Sequence, residues 1–196
     1  VQLLGCDALV WSGHKSFGPT GTGALWMRAE LLERLEPSMI GGGAIDALGP
    51  DGFVVAQEPA WRRFEVGTPN IAGLIGLGAA AHYLNEQLPR HRDGLAQLTK
   101  QAHHGLAALP GVRLLSRPNR VGIVSFCLDA WSPHAAAMAL DEDFGVMLRS
   151  GHHCALPLMR HLGEAKGCLR ASFHVYSDEE DLDLLLAGVR ALCEQQ

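Results

Sequence analysis

No CxxC pair occurs in the chain, and its five cysteines, Cys6, Cys127, Cys154, Cys168 and Cys193, are scattered and odd in number. That excludes the disulfide framework of a small secreted domain and points to reduced thiols in a reducing compartment, with at least one able to react. No apolar run approaches the roughly 20 residues that cross a bilayer, and no charged-then-apolar signal segment opens the chain. Basic residues are outnumbered, 16 against 21 acidic ones, and nowhere form a block. Nucleic acid and anionic membrane are therefore not expected partners, although single arginines can still hold a small anion. Internal repeats and low-complexity tracts are lacking too. A cytoplasmic protein is the expectation.

What is present suffices for a buried core: 196 residues, 47% of them hydrophobic, in one domain or in parts of two. The chain starts at Val1, without methionine and a few residues before a core strand. Domains rarely begin inside their own sheet, so a C-terminal part of a longer protein is expected.

Two strands are expected first, at residues 7–11 and 24–27, then a short helix over 29–35 ended by Pro37. An irregular stretch with Gly41-Gly42-Gly43 runs to about Pro59 and reads as loop or hairpin, a candidate site wall or subunit contact. Asn70 is placed to cap a small-residue helix over 71–88, which Pro89 should break. A second helix follows at 93–109. Strands are expected at 112–115 and 121–128 around an Arg117–Arg120 turn, then a helix over 133–140 started by Ser132, strands at 146–148 and 169–173, and a closing helix over 178–193. Ser177 and Glu180 would form its capping box. His103 and His104 are adjacent on a helix, share no face and suit solvent better than a metal. This β/α alternation predicts a small sheet with helices packed on it.

Two constellations carry chemistry, each at a strand end, where a rigid sheet presents side chains to ligands. The first is Ser12-Gly13-His14-Lys15, followed by the glycine-rich Gly18-Pro19-Thr20-Gly21. A lysine attacks a carbonyl only when burial or a neighbouring cation activates it, and His14 with a Gly/Thr turn suits that; a solvated surface lysine is the competing reading. The lysine precedes the glycines, so this is no P-loop, and a tight connection accounts for the glycines. The second is Arg149-Ser150-Gly151-His152-His153-Cys154-Ala155. Neighbouring cations raise a thiol's thiolate fraction, whereas a buried inert cysteine is the plainer reading. His152, His153, Cys154 and Cys168 include zinc-ligand types, but without a chelating spacing. Arg170, in mid-strand, needs an anionic partner: a structural Asp or Glu, or a substrate carboxylate gripped by the planar fork.

Taken in order, Ser12–Lys15 with Gly18–Gly21, then Arg62-Arg63-Phe64-Glu65-Val66-Gly67-Thr68-Pro69-Asn70, then Arg149–Pro157, then Arg170-Ala171-Ser172, this chain resembles SufS-type cysteine desulfurases and selenocysteine lyases. These belong to the class V aminotransferase family, in the fold-type-I group that uses pyridoxal 5′-phosphate (PLP). The resemblance implies an α/β fold, the C-terminal part of a fold-type-I transferase. Residues 1–84 would be the tail of the large PLP-binding domain and 85–196 the complete small α/β domain with the catalytic cysteine. It implies that Lys15 links covalently to PLP and moves protons at the substrate's α-carbon. Ser12 and His14 would bond the cofactor phosphate, and Thr68 the phosphate held mainly by the other subunit of a homodimer. Cys154 would take sulfur from L-cysteine and leave as a persulfide bound for a sulfur-accepting partner protein and iron-sulfur cluster assembly, releasing L-alanine. Arg170 would hold the substrate carboxylate, with Arg149 lining the same pocket, and no metal is implied.

The departure is the family's first half. Its aspartate at the pyridine nitrogen, its ring-stacking histidine and its phosphate-binding threonine all precede the lysine and have no counterpart here. The resemblance therefore implies that the 196 residues alone bind PLP poorly and turn over little. Two further readings stay open: a truncated non-catalytic homologue acting as a dimerisation or partner-binding module, and a small zinc module.

Overall fold

The structure, a computed structural model, describes residues 1–118 and 121–195. The chain divides into two compact units, Val1–Glu86 and Gln87–Gln196.

In the first unit β1 (Ala8–Ser12) and β2 (Gly23–Met27) pair antiparallel from Ala8↔Met27 to Ser12↔Gly23. Next comes α1 (Ala29–Arg34). The Gly/Pro-bearing stretch contains a hairpin of β3 (Ile45–Gly49) and β4 (Gly52–Val55), turned by Pro50 and Asp51. α2 begins at Ile71, where Asn70 Oδ1 accepts the Gly73 N–H at 3.0 Å as a cap. Among the described residues, the only buried apolar side chains of this unit are Ala44, Ala56 and Ala80. Val10, Leu25, Leu48 and Ile75 are all more than 60% exposed.

α2 runs unbroken over Ile71–Ala107, with Pro89 inside it. A proline removes one hydrogen bond and crowds the preceding turn, yet helix on either side propagates past an exposed site that strains no neighbouring packing.

The second unit has an ordinary core. Its antiparallel sheet, in the order β5-β6-β8-β7, is built from β5 (Val112–Leu114), β6 (Ile123–Leu128), β7 (Arg149–Gly151) and β8 (Cys168–Ser172). Against it pack the last turns of α2, α3 (Pro133–Phe144) and α5 (Glu179–Glu194), burying Leu106, Phe126, Leu140, Leu169, Val189 and Leu192 completely. α4 (Leu156–His161) leads into β8. Ser132 Oγ accepts the Ala135 N–H at 3.3 Å, with Pro133 in the first turn, so α3 starts as its sequence predicts.

Several expectations shift. The third strand of this unit is Arg149–Gly151, not 146–148: the left-handed Gly145 ends α3, and Val146 N–H still donates to Leu140 O at 3.0 Å, so pairing with β8 begins later. Asp178, not Ser177, caps α5, reciprocally with Asp181 rather than Glu180. An Asp–Asp pair closes the box one residue on, and Ser177 Oγ instead accepts the His174 N–H at 3.2 Å. His103 is half-buried and donates through Nε2 to Ser116 O at 2.9 Å, so only His104 faces solvent. Residues 119 and 120 of the expected Arg117–Arg120 turn lie outside the described residues.

Candidate active site

The loop between β1 and β2 presents the lysine. Gly13 N–H donates to Thr22 O at 2.8 Å to close it, and the N–H groups of Ser16 and Gly18 donate to Gly13 O at 2.8 and 2.9 Å. A Cβ at Gly13 would stand 2.1 Å from Thr22 Oγ1, so nothing larger than glycine fits the crossing. α2 lies behind the loop, and a Cβ at Gly76 would come 2.7 Å from Pro19 Cγ. Close approach thus explains a glycine that propensity alone counts against the helix. The loop's single 3₁₀ turn, Gly13–Lys15, leaves Ser12, His14 and Lys15 exposed together. Burial, one of the two ways of activating an amine, is not supplied to Lys15 within this unit.

Thr68 sits on a separate segment, also exposed. That segment is tied down beside it, Gly67 N–H donating to Gly42 O at 2.7 Å. Arg62 pairs with Asp46 at 2.7 Å and donates from Nε to Gly43 O at 2.9 Å. Arg63 is buried over the Phe64 ring and donates to Leu32 O.

In the second unit, pairing of β7 with β8 sets Arg149 directly opposite Arg170, while Ser125 of β6 stands opposite Arg170 on its other side. Like charges opposed across a ladder repel. Among the described residues neither guanidinium has a carboxylate partner, and Arg170 Nε is buried without a hydrogen bond. The structural Asp or Glu that Arg170 was expected to need is therefore not supplied by this unit.

Directly after β7 the chain makes a tight turn. His153 and Cys154 both have positive φ, 53° and 59°, and Ala155 N–H donates to His152 O at 2.8 Å, a type I′ arrangement. Two successive non-glycine residues in the left-handed region are unusual, a conformation that costs free energy and that the surrounding hydrogen bonds must hold. The turn holds Cys154 exposed at its tip. His153 Nε2 donates to Cys168 O at 3.1 Å, which fixes the tautomer and leaves Nδ1 a bare, buried acceptor. Burial first, then the charges of Arg170 and Arg149, hold this imidazole below its ordinary range. It is thus a poor cation, which leaves the arginines as the lasting positive charges near the thiol. His152 Nε2 donates to Ala165 O at 2.9 Å. With both rings committed to carbonyls, and no group of three possible ligands gathered among the described residues, the zinc reading finds no support.

Three residues near the turn escape sequence reasoning. Glu164 pairs with Arg113 and receives the Cys127 Sγ–H at 3.4 Å. They lie far apart along the chain on β5, β6 and the α4–β8 loop, and no local spacing marks them.

Comparison with known proteins identifies the family and the fold. The aminotransferase class-V family model matches residues 1–185, and the chain belongs to that family. It is 40% identical over 190 residues to a probable cysteine desulfurase of Methanothermobacter thermautotrophicus, covering 94% of this chain and 47% of that protein. The apo cysteine desulfurase of Thermococcus onnurineus superposes with a TM-score of 0.89 at 40% identity, over 100% of this chain and 49% of that one. A cystine C–S lyase, solved with glycine covalently linked to its PLP cofactor, gives a TM-score of 0.77 at 28% identity, over 96% and 47%. The fold is thus that of PLP-dependent desulfurases, PLP is the cofactor this membership brings, and the chain spans about half the length of the relatives it matches.

Proposed function

We propose that this chain is the lysine- and cysteine-bearing part of a SufS-type cysteine desulfurase. In this reading it works as a cytoplasmic homodimer that takes sulfur from L-cysteine, releases L-alanine and hands a persulfide to an acceptor protein for iron-sulfur cluster assembly or another sulfur-transfer route. The observation that carries the reading is the Arg149–Arg170 pair. Two opposed guanidiniums without a carboxylate of their own, a few residues from an exposed thiol on a strained turn, fit a substrate with both a carboxylate and a sulfur.

The residues present fit PLP at the lysine loop, where Gly13 and Gly18 leave no room for a Cβ and an exposed amine stands beside a hydroxyl and an imidazole. When bound, PLP supplies an electron sink for bonds at the substrate's α-carbon. Lys15 Nζ would hold the cofactor and move protons at that carbon. Ser12 and His14 would donate to its phosphate, and Thr68 to the phosphate held mainly by the other subunit. Arg170 and Arg149 would clamp the substrate carboxylate. The Cys154 thiolate attacks the substrate sulfur, a sulfur–sulfur bond forms and the carbon–sulfur bond breaks. Its electron pair stays on carbon and takes up a proton, giving alanine. The thiol is oxidised to the persulfide level while carbon is reduced, so no external oxidant enters.

Selenocysteine satisfies the same groups, and direct competition between the two substrates tells them apart. A partner-binding module is favoured by one observation, the exposed Val10, Leu25 and Ile75 of the first unit. In the full-length, PLP-loaded protein, Cys154→Ala is expected to keep the cofactor's visible absorbance and lose sulfide release, and Lys15→Ala to lose both. Desulfuration surviving Cys154→Ala would overturn the nucleophile, and a full-length wild type that never takes up PLP would favour the partner-binding module.

A further inference from the structure

The connection between α4 and β8 touches the cysteine turn at three points. His152 Nε2 donates to Ala165 O at 2.9 Å, and His153 Nε2 to Cys168 O at 3.1 Å. Gly167, at φ +84°, lies so close to Gly151 that a Cβ would be 2.3 Å from its carbonyl carbon. The two histidines before Cys154 and the glycine before them thus rest on residues 165–168, and the turn is no better placed than that backbone. Sheet pairing holds Cys168 at the start of β8, Cys127 Sγ reaches Gly167 O at 3.7 Å, and one acidic side chain ties the connection before them to the sheet. Glu164, with its side chain 12% exposed, pairs through Oε1 with Arg113 Nη1 of β5 and accepts the Cys127 thiol of β6 on Oε2 at 3.4 Å. Its own N–H donates to Met159 O and its carbonyl accepts the Gly167 N–H, both at 2.8 Å. Glu164 therefore anchors the connection to two strands at once.

We propose that Glu164, gripped by Arg113 and Cys127, is a positioning residue for Cys154, holding the α4–β8 connection against which His152, His153 and Gly151 set the left-handed turn. The proposal rests on reading Cys154 as the sulfur acceptor, but none of the three touches substrate or cofactor in that reading. The electrostatics agree. Arg113 holds the Glu164 carboxyl below its ordinary range, and burial with the neighbouring carboxylate pushes the Cys127 thiol up to about 12, so the acceptor stays charged and the donor keeps its proton. A charged hydrogen bond in so sheltered a place outweighs a surface ion pair.

The test follows the turn in the folded, PLP-loaded protein by two readouts: amide exchange of residues 151–155, and the pH profile of Cys154 alkylation by iodoacetamide. Glu164→Ala is expected to speed exchange of the Ala155 amide about tenfold or more, the loss of one charge-assisted hydrogen bond. It should also displace the alkylation profile while α5 exchanges as before, and Glu164→Gln, which keeps an acceptor oxygen, should restore most of both. Arg113→Ala should act in the same direction, and as Arg113 is 51% exposed the fold survives its loss. Unchanged exchange and alkylation in Arg113→Ala and in Glu164→Ala overturns the proposal. So does uniform acceleration that includes α5, which would make Glu164 a general prop of the unit. Failure of the sulfur-acceptor reading looks different: Cys154→Ala would leave desulfuration intact while the local changes still appear.

Discussion

Arg149 and Arg170 oppose each other across two strands, and no carboxylate among the described residues pairs with either, a cost that a bound anion removes. His153 nearby titrates low, from burial first and from the charges of these two arginines second. Its ordinary value is 6.5 and its folded value is lower, so the fold favours the neutral ring. That contribution is present in full above 6.5 and is lost as pH falls through the folded value. The thermal midpoint of the second unit is therefore expected to fall on acidification below 6.5, and His153→Gln to flatten that fall. An identical pH dependence in the variant would show that His153 is not the group responsible. Cys127 has the opposite sign: its thiol is pushed from 9.0 to about 12, so its share of stability is complete below 9.0 and drains away between the two values.

At the scale of elements, glycine and strand register do the positioning. Gly76→Ala would drive a Cβ to 2.7 Å from Pro19 Cγ and push the lysine loop off α2. The expected result is a loss of roughly 1–3 kcal/mol in stability and weaker PLP uptake, read by thermal melting and cofactor absorbance. Uptake equal to wild type would mean that the loop tolerates displacement. The lysine loop, the α3 start and the Asn70 cap are legible in the sequence because each depends on neighbours a few residues apart. The long α2 is not, because a proline in mid-pattern looks like a stop unless the packing on both sides is known. Nor is the facing of Arg149 and Arg170, since register is a property of two strands and neither motif contains the other. The shift of the last capping box by one residue reflects near-equal N-cap preferences of Ser and Asp. The Arg113–Glu164–Cys127 contact leaves no sequence signal at all, because only the folded sheet brings β5, β6 and the α4–β8 connection together.

For the molecule as a whole, the two units are unequal in what they bury. The second encloses a continuous core from Leu98 to Leu192, while the first buries only three alanines among its described apolar side chains and exposes Val10, Leu25 and Ile75. A unit without its own core does not offset the entropy of ordering its chain. Residues 87–196 made alone are therefore expected to unfold cooperatively, and residues 1–86 to lack a melting transition unless further polypeptide covers them. A sharp transition for the first unit alone would contradict this.

The most direct measurement is the mass of the Cys154 peptide after the PLP-loaded protein receives L-cysteine in an amount equal to its sites. One added sulfur on that peptide, with one alanine released and neither seen in Lys15→Ala, is the predicted result. Alanine released with the sulfur on another cysteine, or on none, would contradict the account.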